Sequence, residues 1–262
     1  MTTIDHGAAV AAETARLVTT LQDADPTTPV PSCPDWTLED LARHTGSVQR
    51  WFTVLLRQRV QQPPRSREVD LRLPARPEGY PAWLAEASAE AGATFAETDL
   101  DAPMWAWGAD QHARFWVRRM LFETLVHRAD AELALGRTPE FDPELAADGV
   151  DEFLTNLPFA AIFAPKTAEL RGPDRTIRFT RTDANASDGG SGGGDWLIRL
   201  RPDGFGLDPD GAAADPIADA TVRGSAADLL LLLYGRLDRT CTRLDVRGDD
   251  ELLAHWFANS AF

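Results

Sequence analysis

Apolar residues recur at three- and four-residue spacing through the first 157 positions, which is the period of an amphipathic helix. The predicted helices cover residues 4–24, 38–61, 81–95, 112–136 and 142–157. Thr37, with Asp40 three residues later, forms a capping-box pattern at the start of the second helix, and Gly136 predicts a left-handed end for the fourth. Polar connections join the first four helices. This arrangement favours a four-helix bundle.

After residue 157 the pattern becomes mixed. Alternating apolar and polar residues predict strands at 175–182, 196–201, 205–207, 220–223 and 243–246. Ser225 caps a further helix, and residues 249–259 form the last one. The segment DANASDGGSGGGD has the composition of a flexible linker, so we expect a disordered hairpin tip there. The sequence therefore predicts an α+β protein of two domains, at residues 1–157 and 158–262.

Two connections in the first domain offer walls for a site. Residues 62–79 form a Pro- and Arg-rich stretch that is longer than most loops in compact domains. Trp105 and Trp107 lie two residues apart in the next connection. This aromatic pair either lines a substrate pocket or closes the end of the bundle.

Three side chains of the bundle have the chemistry of metal ligands. Glu123 and His127 are four residues apart in the fourth helix and share one face. His44 falls in the apolar stripe of the second helix, where a single histidine is more often a core residue than a ligand. Together they make a set of two imidazoles and one carboxylate, the ligand complement of a catalytic zinc site with an open fourth position.

Other residues in the same two motifs allow more than one role. Arg119 lies one turn before Glu123 and is expected to pair with it or with Asp130. Asp130 itself is expected to face another helix or solvent. Cys33 is either a buried structural cysteine, the commoner case, or a reactive thiol. Cys33 and Cys241 form neither a CxxC pair nor a disulfide framework, which fits a reducing compartment.

Charge and hydropathy narrow the classes of partner. A net charge of −15, with Lys166 as the single lysine, argues against a nucleic-acid-binding surface, because such surfaces need clustered cations. Apolar runs fall short of the ~20 residues that cross a membrane, and the N-terminus lacks the pattern of a signal peptide. We therefore expect a cytoplasmic protein that does not associate with a membrane.

The runs VPSCPDWTLEDLARH and RRMLFETLVHRADAELALG resemble the N-terminal domain of the mycothiol-dependent maleylpyruvate isomerase family, a branch of the DinB-like helical bundles. The segments ADATVRGSAADLLLLLYGRL and LDVRGDDELLAHWF resemble the C-terminal domain of that family, an α+β domain similar to the sterol-carrier type. The resemblance implies that His44, Glu123 and His127 bind a divalent metal, normally zinc.

The resemblance also implies a chemistry. In the family, the thiol of mycothiol adds to an activated double bond, rotation follows, and elimination gives the trans isomer; other members transfer the thiol to an electrophile. It further implies that an arginine of the C-terminal domain reaches the active site, and we select Arg236 over Arg243 and Arg247. The alternative for Arg236 is a helix-end cation stabilised by the helix dipole.

Three functions follow as hypotheses. The leading one is a zinc-dependent enzyme that uses mycothiol as an isomerase or S-transferase on a small electrophile. The second is a non-catalytic metal-binding bundle without affinity for thiols. The third is a metal-dependent hydrolase that uses zinc-bound hydroxide and that a thiol inhibits. A monomer is the default expectation for each.

Overall fold

The structure, a computed structural model, describes residues 4–64, 69–183, 194–208 and 217–261. The described residues divide into two compact units, of which the first ends at Pro139 and the second begins at Glu140. The predicted boundary lay at residue 157, so the structure groups the fifth helix with the second unit. No helix in the described ranges is both long and apolar enough to cross a bilayer.

The described residues of the first unit form four long helices. They are α1 (His6–Gln22), α2 (Leu38–Gln58), α3 (Tyr80–Glu97) and α4 (Ala113–Ala134), with a short 3-10 turn at Pro77–Gly79 before α3. Helices α1 and α2 each pack against both α3 and α4. The four helices thus enclose one apolar core, as the helical spacing of apolar residues predicts, and the four-helix bundle is confirmed.

The predicted helix ends are confirmed at two positions. The Thr37 hydroxyl accepts the backbone N–H of Asp40 at 3.4 Å, and the Asp40 carboxylate accepts the backbone N–H of Thr37 at 3.1 Å. Gly136, which follows α4, has a φ of 70°. Glycine adopts this left-handed conformation without the steric cost that a Cβ brings. The capping box therefore fixes where α2 begins, and Gly136 marks where α4 ends.

The bundle core depends on a close approach between α2 and α3. The Trp83 ring is 4% exposed and lies directly over Gly46, where a Cβ would overlap the ring. The Trp83 indole N–H donates to the carbonyl of Leu71 at 2.7 Å and so ties the connection before α3 to the bundle. Residues 65–68 of that connection lie outside the described residues.

The two tryptophans before α4 pack against its first turns. The Trp116 indole N–H donates to the carbonyl of Trp105 at 2.9 Å, and their ring centroids lie 5.6 Å apart. Trp107 meets Phe115 edge-on at 5.2 Å. Of the two roles considered for this aromatic pair, these contacts favour closing the end of the bundle.

The second unit combines helices with a mixed sheet. Its helices are α5 (Pro143–Asn156), α6 (Ala226–Leu233) and α7 (Asp250–Asn259), with 3-10 turns at Leu157–Ile162 and Pro165–Glu169. Its strands are β1 (Arg175–Arg181), β2 (Asp195–Arg201), β3 (Gly204–Leu207), β4 (Ala220–Gly224) and β5 (Asp245–Gly248). The strand order in the described sheet is β3-β2-β1-β4-β5, and only the β1–β4 pair is parallel. The predicted α+β class is therefore confirmed.

Two details of the sheet differ from or extend beyond the prediction. Strand β5 begins two residues later than predicted, because Leu244 closes a turn onto the carbonyl of Cys241 at 3.0 Å. Gly248, with a φ of 94°, extends β5 opposite Ala220. The predicted hairpin tip between β1 and β2 falls largely on residues 184–193, which lie outside the described residues.

Candidate metal centre

The structure brings the three predicted ligands together on the facing sides of α2 and α4. The Nε2 atom of His44 lies 3.9 Å from Oε2 of Glu123, and Nε2 of His127 lies 3.7 Å from the same oxygen. One ligand atom from each residue falls within 4.8 Å of the other two. The sequence placed Glu123 and His127 on one helix face, and the packing of α2 against α4 supplies His44.

This donor set fits a divalent cation. In a tetrahedral zinc site with bonds of about 2.1 Å, ligand atoms lie roughly 3.4 Å apart. The distances of 3.7 and 3.9 Å to Glu123 exceed that value by about 0.3 and 0.5 Å, and one nitrogen of each imidazole lies within 4.8 Å of the other, so a cation would need side-chain rotations to bring all three atoms to bonding distance. Three protein ligands leave a fourth position of such a site open.

The carboxylate of Glu123 carries the negative charge that a cation requires. Burial alone would raise the pKa of Glu123, but Arg119, His44 and His127 outweigh burial and lower the pKa to about 2. The Arg119 Nε atom lies 3.4 Å from Oε1 of Glu123, which is one of the two pairings expected for this arginine. Glu123 therefore stays ionised and directs its Oε2 atom between the two imidazoles.

Asp130 is a site residue that sequence reasoning missed. The expectation that Asp130 faces another helix or solvent is wrong: the residue is fully buried, and its Oδ2 atom lies 2.9 Å from Nδ1 of His127. The Ser32 hydroxyl donates to Oδ1 at 2.6 Å, and the Cys33 thiol donates to Oδ2 at 3.5 Å. The available signal was the three-residue spacing from His127 to Asp130, which puts both side chains on one face of α4.

The Pro-rich segment before α2 folds over this centre. Its backbone closes on itself through hydrogen bonds from Val30 N–H to the Trp36 carbonyl (2.9 Å) and from Trp36 N–H to the Cys33 carbonyl (3.0 Å). This turn places the Trp36 ring 4.8 Å from the His44 ring and 5.9 Å from the His127 ring. The run VPSCPDWTLEDLARH therefore contributes Trp36 as a wall of the site and His44 as a candidate ligand.

A second group of possible ligands shares His127 with the first. The group is Cys33, His127 and Asp130. A cation bound to both His127 Nδ1 and Asp130 Oδ2 would hold these atoms about 3.4 Å apart, whereas they lie 2.9 Å apart, at hydrogen-bond distance. At that distance the second group forms a hydrogen-bonded cluster beside the candidate set of His44, Glu123 and His127.

Arg236 lies in the second unit, just after α6. It donates a hydrogen bond to the Tyr234 carbonyl at 2.5 Å, a contact typical of a helix-end cation. It also borders a cavity of about 370 Å³ together with Leu233 and Phe257. The other two arginines considered pair with carboxylates, Arg243 with Asp228 and Arg247 with Asp245, each at 2.9 Å.

A helical bundle that carries a His/Glu/His set, followed by a unit with a mixed sheet, defines a two-unit α+β protein with a candidate metal centre. The family model for the mycothiol maleylpyruvate isomerase N-terminal domain matches residues 8–132, and that for the C-terminal domain of the same family matches residues 144–255. The chain therefore belongs to the mycothiol maleylpyruvate isomerase family.

Solved structures agree with this assignment at the level of the fold. Two crystal structures of the mycothiol-dependent maleylpyruvate isomerase, one of them of a mutant, are similar to this chain with TM-scores of 0.56 and 0.58. Each is 12% identical, and the match covers 92% of this chain and 91% of the other. No curated protein sequence matches the chain.

Proposed function

We propose that this chain is a metal-dependent enzyme that uses mycothiol, and that His44, Glu123 and His127 hold its divalent cation, zinc in the first instance. One observation carries the proposal: the three ligand atoms lie within 4.8 Å of one another, in a chain of the mycothiol maleylpyruvate isomerase family. When bound, such a cation supplies the positive charge that favours the deprotonated form of a coordinating thiol.

The surroundings of the centre suit a bound thiol. Glu123 is the one carboxylate of the ligand set, so with two neutral imidazoles a divalent cation keeps net positive charge toward its open position. The side chains of His44 and Glu123 are 36% and 26% exposed, so a small molecule can approach from their side. The Trp36 ring covers the imidazoles on another side and limits water there.

We assign to Arg236 the recognition of a carboxylate on the substrate. A guanidinium beside an apolar cavity wall is suited to bidentate pairing with a carboxylate. Arg236→Ala should raise KM for a dicarboxylate substrate more than it lowers kcat. Arg239→Ala is the matched control, because Arg239 borders the same cavity and pairs with Asp250. Equal effects of the two variants would remove this role from Arg236.

Two reactions fit a thiol held beside a small electrophile. One is cis–trans isomerisation of an activated double bond, as the name of the family describes, and the other is permanent transfer of the thiol to the electrophile. The deciding experiment measures zinc content, calorimetric affinity for mycothiol with and without zinc, and turnover of maleylpyruvate, activated alkenes and epoxides.

The outcomes separate the functions. About one zinc per chain, zinc-dependent mycothiol binding and a strict mycothiol requirement for turnover support the proposal, and the product identifies isomerase or S-transferase. Zinc without any affinity for thiols would leave a non-catalytic metal-binding bundle. Ester or amide hydrolysis that needs no thiol, and that added thiol inhibits, would instead assign the chain to metal-dependent hydrolases.

A further inference from the structure

The least expected group beside the candidate metal centre is the buried carboxylate of Asp130. It is 0% exposed and accepts hydrogen bonds from the Ser32 hydroxyl and the Cys33 thiol, and the Nδ1 atom of His127 lies 2.9 Å from its Oδ2 atom. An ionised carboxylate accepts hydrogen bonds and donates none. Two donors aimed at one buried acid, one at each of its oxygens, are the surroundings expected of its charged form.

This arrangement determines which nitrogen of His127 carries the proton. Since the Asp130 carboxylate can only accept, the Nδ1 atom at 2.9 Å must be the donor. A neutral imidazole with its proton on Nδ1 has its lone pair on Nε2. Nε2 is the atom that lies 3.7 Å from Glu123 and faces the candidate metal position.

We propose that Asp130 is a positioning residue that acts on the metal through His127, and that Ser32 and Cys33 hold Asp130 in place. The proposal rests on the metal-binding part of the proposed function and is independent of mycothiol. It makes the segment from Val30 to Trp36 part of the metal centre, because both donors from that segment meet the same carboxylate.

The same geometry bears on the role of Cys33. Its thiol donates a hydrogen bond to Oδ2 of Asp130, and a donating thiol carries its proton. Cys33 is half-buried rather than buried. Of the two roles considered for this cysteine, the hydrogen bond favours the structural one.

The first test compares two buried carboxylates of the bundle. Asp130→Asn should weaken zinc binding about 10- to 100-fold, the usual effect of losing a partner that orients a ligating histidine. Glu13→Gln makes the same chemical change at a residue of α1 that is 5% exposed, pairs with Arg128 on α4 and is not one of the candidate ligands. It should leave zinc affinity unchanged. Competition with a chromophoric chelator measures both affinities.

Two further readouts exclude a merely structural role. In metal-free protein, long-range ¹H–¹⁵N spectra should show His127 protonated on Nδ1 in the wild type and a larger Nε2–H population in Asp130→Asn. With cobalt bound, the visible absorption of Asp130→Asn should differ from that of the wild type, while Glu13→Gln should match it. Identical tautomers in wild type and Asp130→Asn would overturn the proposal.

A double-mutant cycle tests whether Asp130 acts through His127. Adding Asp130→Asn to His127→Ala should cause no further loss of zinc affinity, whereas an additional loss of about 10-fold would show an action independent of His127 and overturn the proposal. If Asp130→Asn does not fold, Ser32→Ala replaces it, since it removes one donor to the same carboxylate. Ser32→Ala should then bind zinc more weakly than Glu13→Gln, and equal affinity would overturn the proposal.

Metal binding by the chain and the positioning role of Asp130 are overturned by different results. If wild-type protein binds no divalent metal, the proposed function fails at its first step. If wild-type protein binds zinc and folded Asp130→Asn binds it equally well, only the positioning role of Asp130 fails.

Discussion

His44 and Glu123, on different helices of the bundle, direct their Nε2 and Oε2 atoms to within 3.9 Å of each other. This pair joins the second turn of α2 to the middle of α4 through two side chains of types that bind divalent cations. The same Glu123 oxygen lies 3.7 Å from His127, so it is the common point of the donor set. Among single substitutions on α4, those of Glu123 and His127 should therefore weaken metal binding most.

Glu123→Gln should weaken zinc binding by more than about 100-fold, since loss of a ligand exceeds the usual effect of losing an outer partner. The amide keeps the shape of the side chain but removes the negative charge that faces Arg119 and both imidazoles. Glu132→Gln is the control on the same helix, because Glu132 pairs with buried Arg128. Equal zinc affinities in the two variants, measured by chelator competition, would argue against Glu123 as a ligand.

Zinc removal should lower the stability of the bundle. A ligand that binds only the folded state stabilises it by about 2.7 kcal/mol when its free concentration is 100 times Kd. Chelation should therefore lower the free energy of unfolding, followed by urea titration with helical circular dichroism. His44→Ala should show no such response to zinc or chelator. A wild-type protein whose stability is the same with and without zinc would contradict coordination that joins α2 to α4.

The helices, and the common face of Glu123 and His127, were predictable because their signals are local. Most of α4 is buried, as its many apolar residues indicate, and the four-residue spacing of Glu123 and His127 puts both on one face. The position of His44 indicated a metal ligand less strongly than the Glu123–His127 spacing did, because histidines of a packed core also occur in apolar stripes. The resemblance to a family added what spacing alone left open, namely that His44 belongs with the other two.

The contacts that Ser32, Cys33 and Trp36 make with the site could not be predicted, because they depend on the path of an irregular segment. Prolines indicate that this segment is extended, but they do not say which helix it covers. In the structure the segment turns so that Ser32 and Cys33 reach Asp130 and Trp36 reaches both histidines. Such contacts are set by tertiary packing and leave no periodic signal in the sequence.

Gly46→Ala should destabilise the bundle by about 1–3 kcal/mol, the usual cost of adding a methyl group to a packed core. A Cβ at this position would overlap the buried Trp83 ring. Gly92→Ala in α3 is the control, because its Cβ would meet no atom of the described residues within 4 Å. It should stabilise by about 0.4–1 kcal/mol through helix propensity. Urea unfolding of both variants measures the difference, and equal shifts would contradict the close packing at Gly46.

Acidification should destabilise the second unit partly through Asp219. Burial on its own would raise the pKa of Asp219, but hydrogen bonds from Thr176 and the charge of Arg175 outweigh it and lower the pKa below the ordinary value of 3.8. Thr176 N–H donates to Asp219 at 2.7 Å, and Arg175 lies 3.1 Å away. Because the folded-state pKa is the lower one, this contribution to stability is complete above the unfolded-state value and is lost as the pH falls through the folded-state pKa.

The measurement is the free energy of unfolding between pH 6 and about pH 3, a window that crosses the ordinary pKa of a carboxyl group near 4. Asp219→Asn should lose less stability over this window than the wild type, because an amide does not titrate, while starting from a lower value at pH 6. Asp203→Asn changes an exposed turn residue in the same way. Its free energy of unfolding should depend on pH as that of the wild type does. Parallel slopes for wild type and Asp219→Asn would mean that the bonds between Asp219, Thr176 and Arg175 do not stabilise the ionised carboxylate.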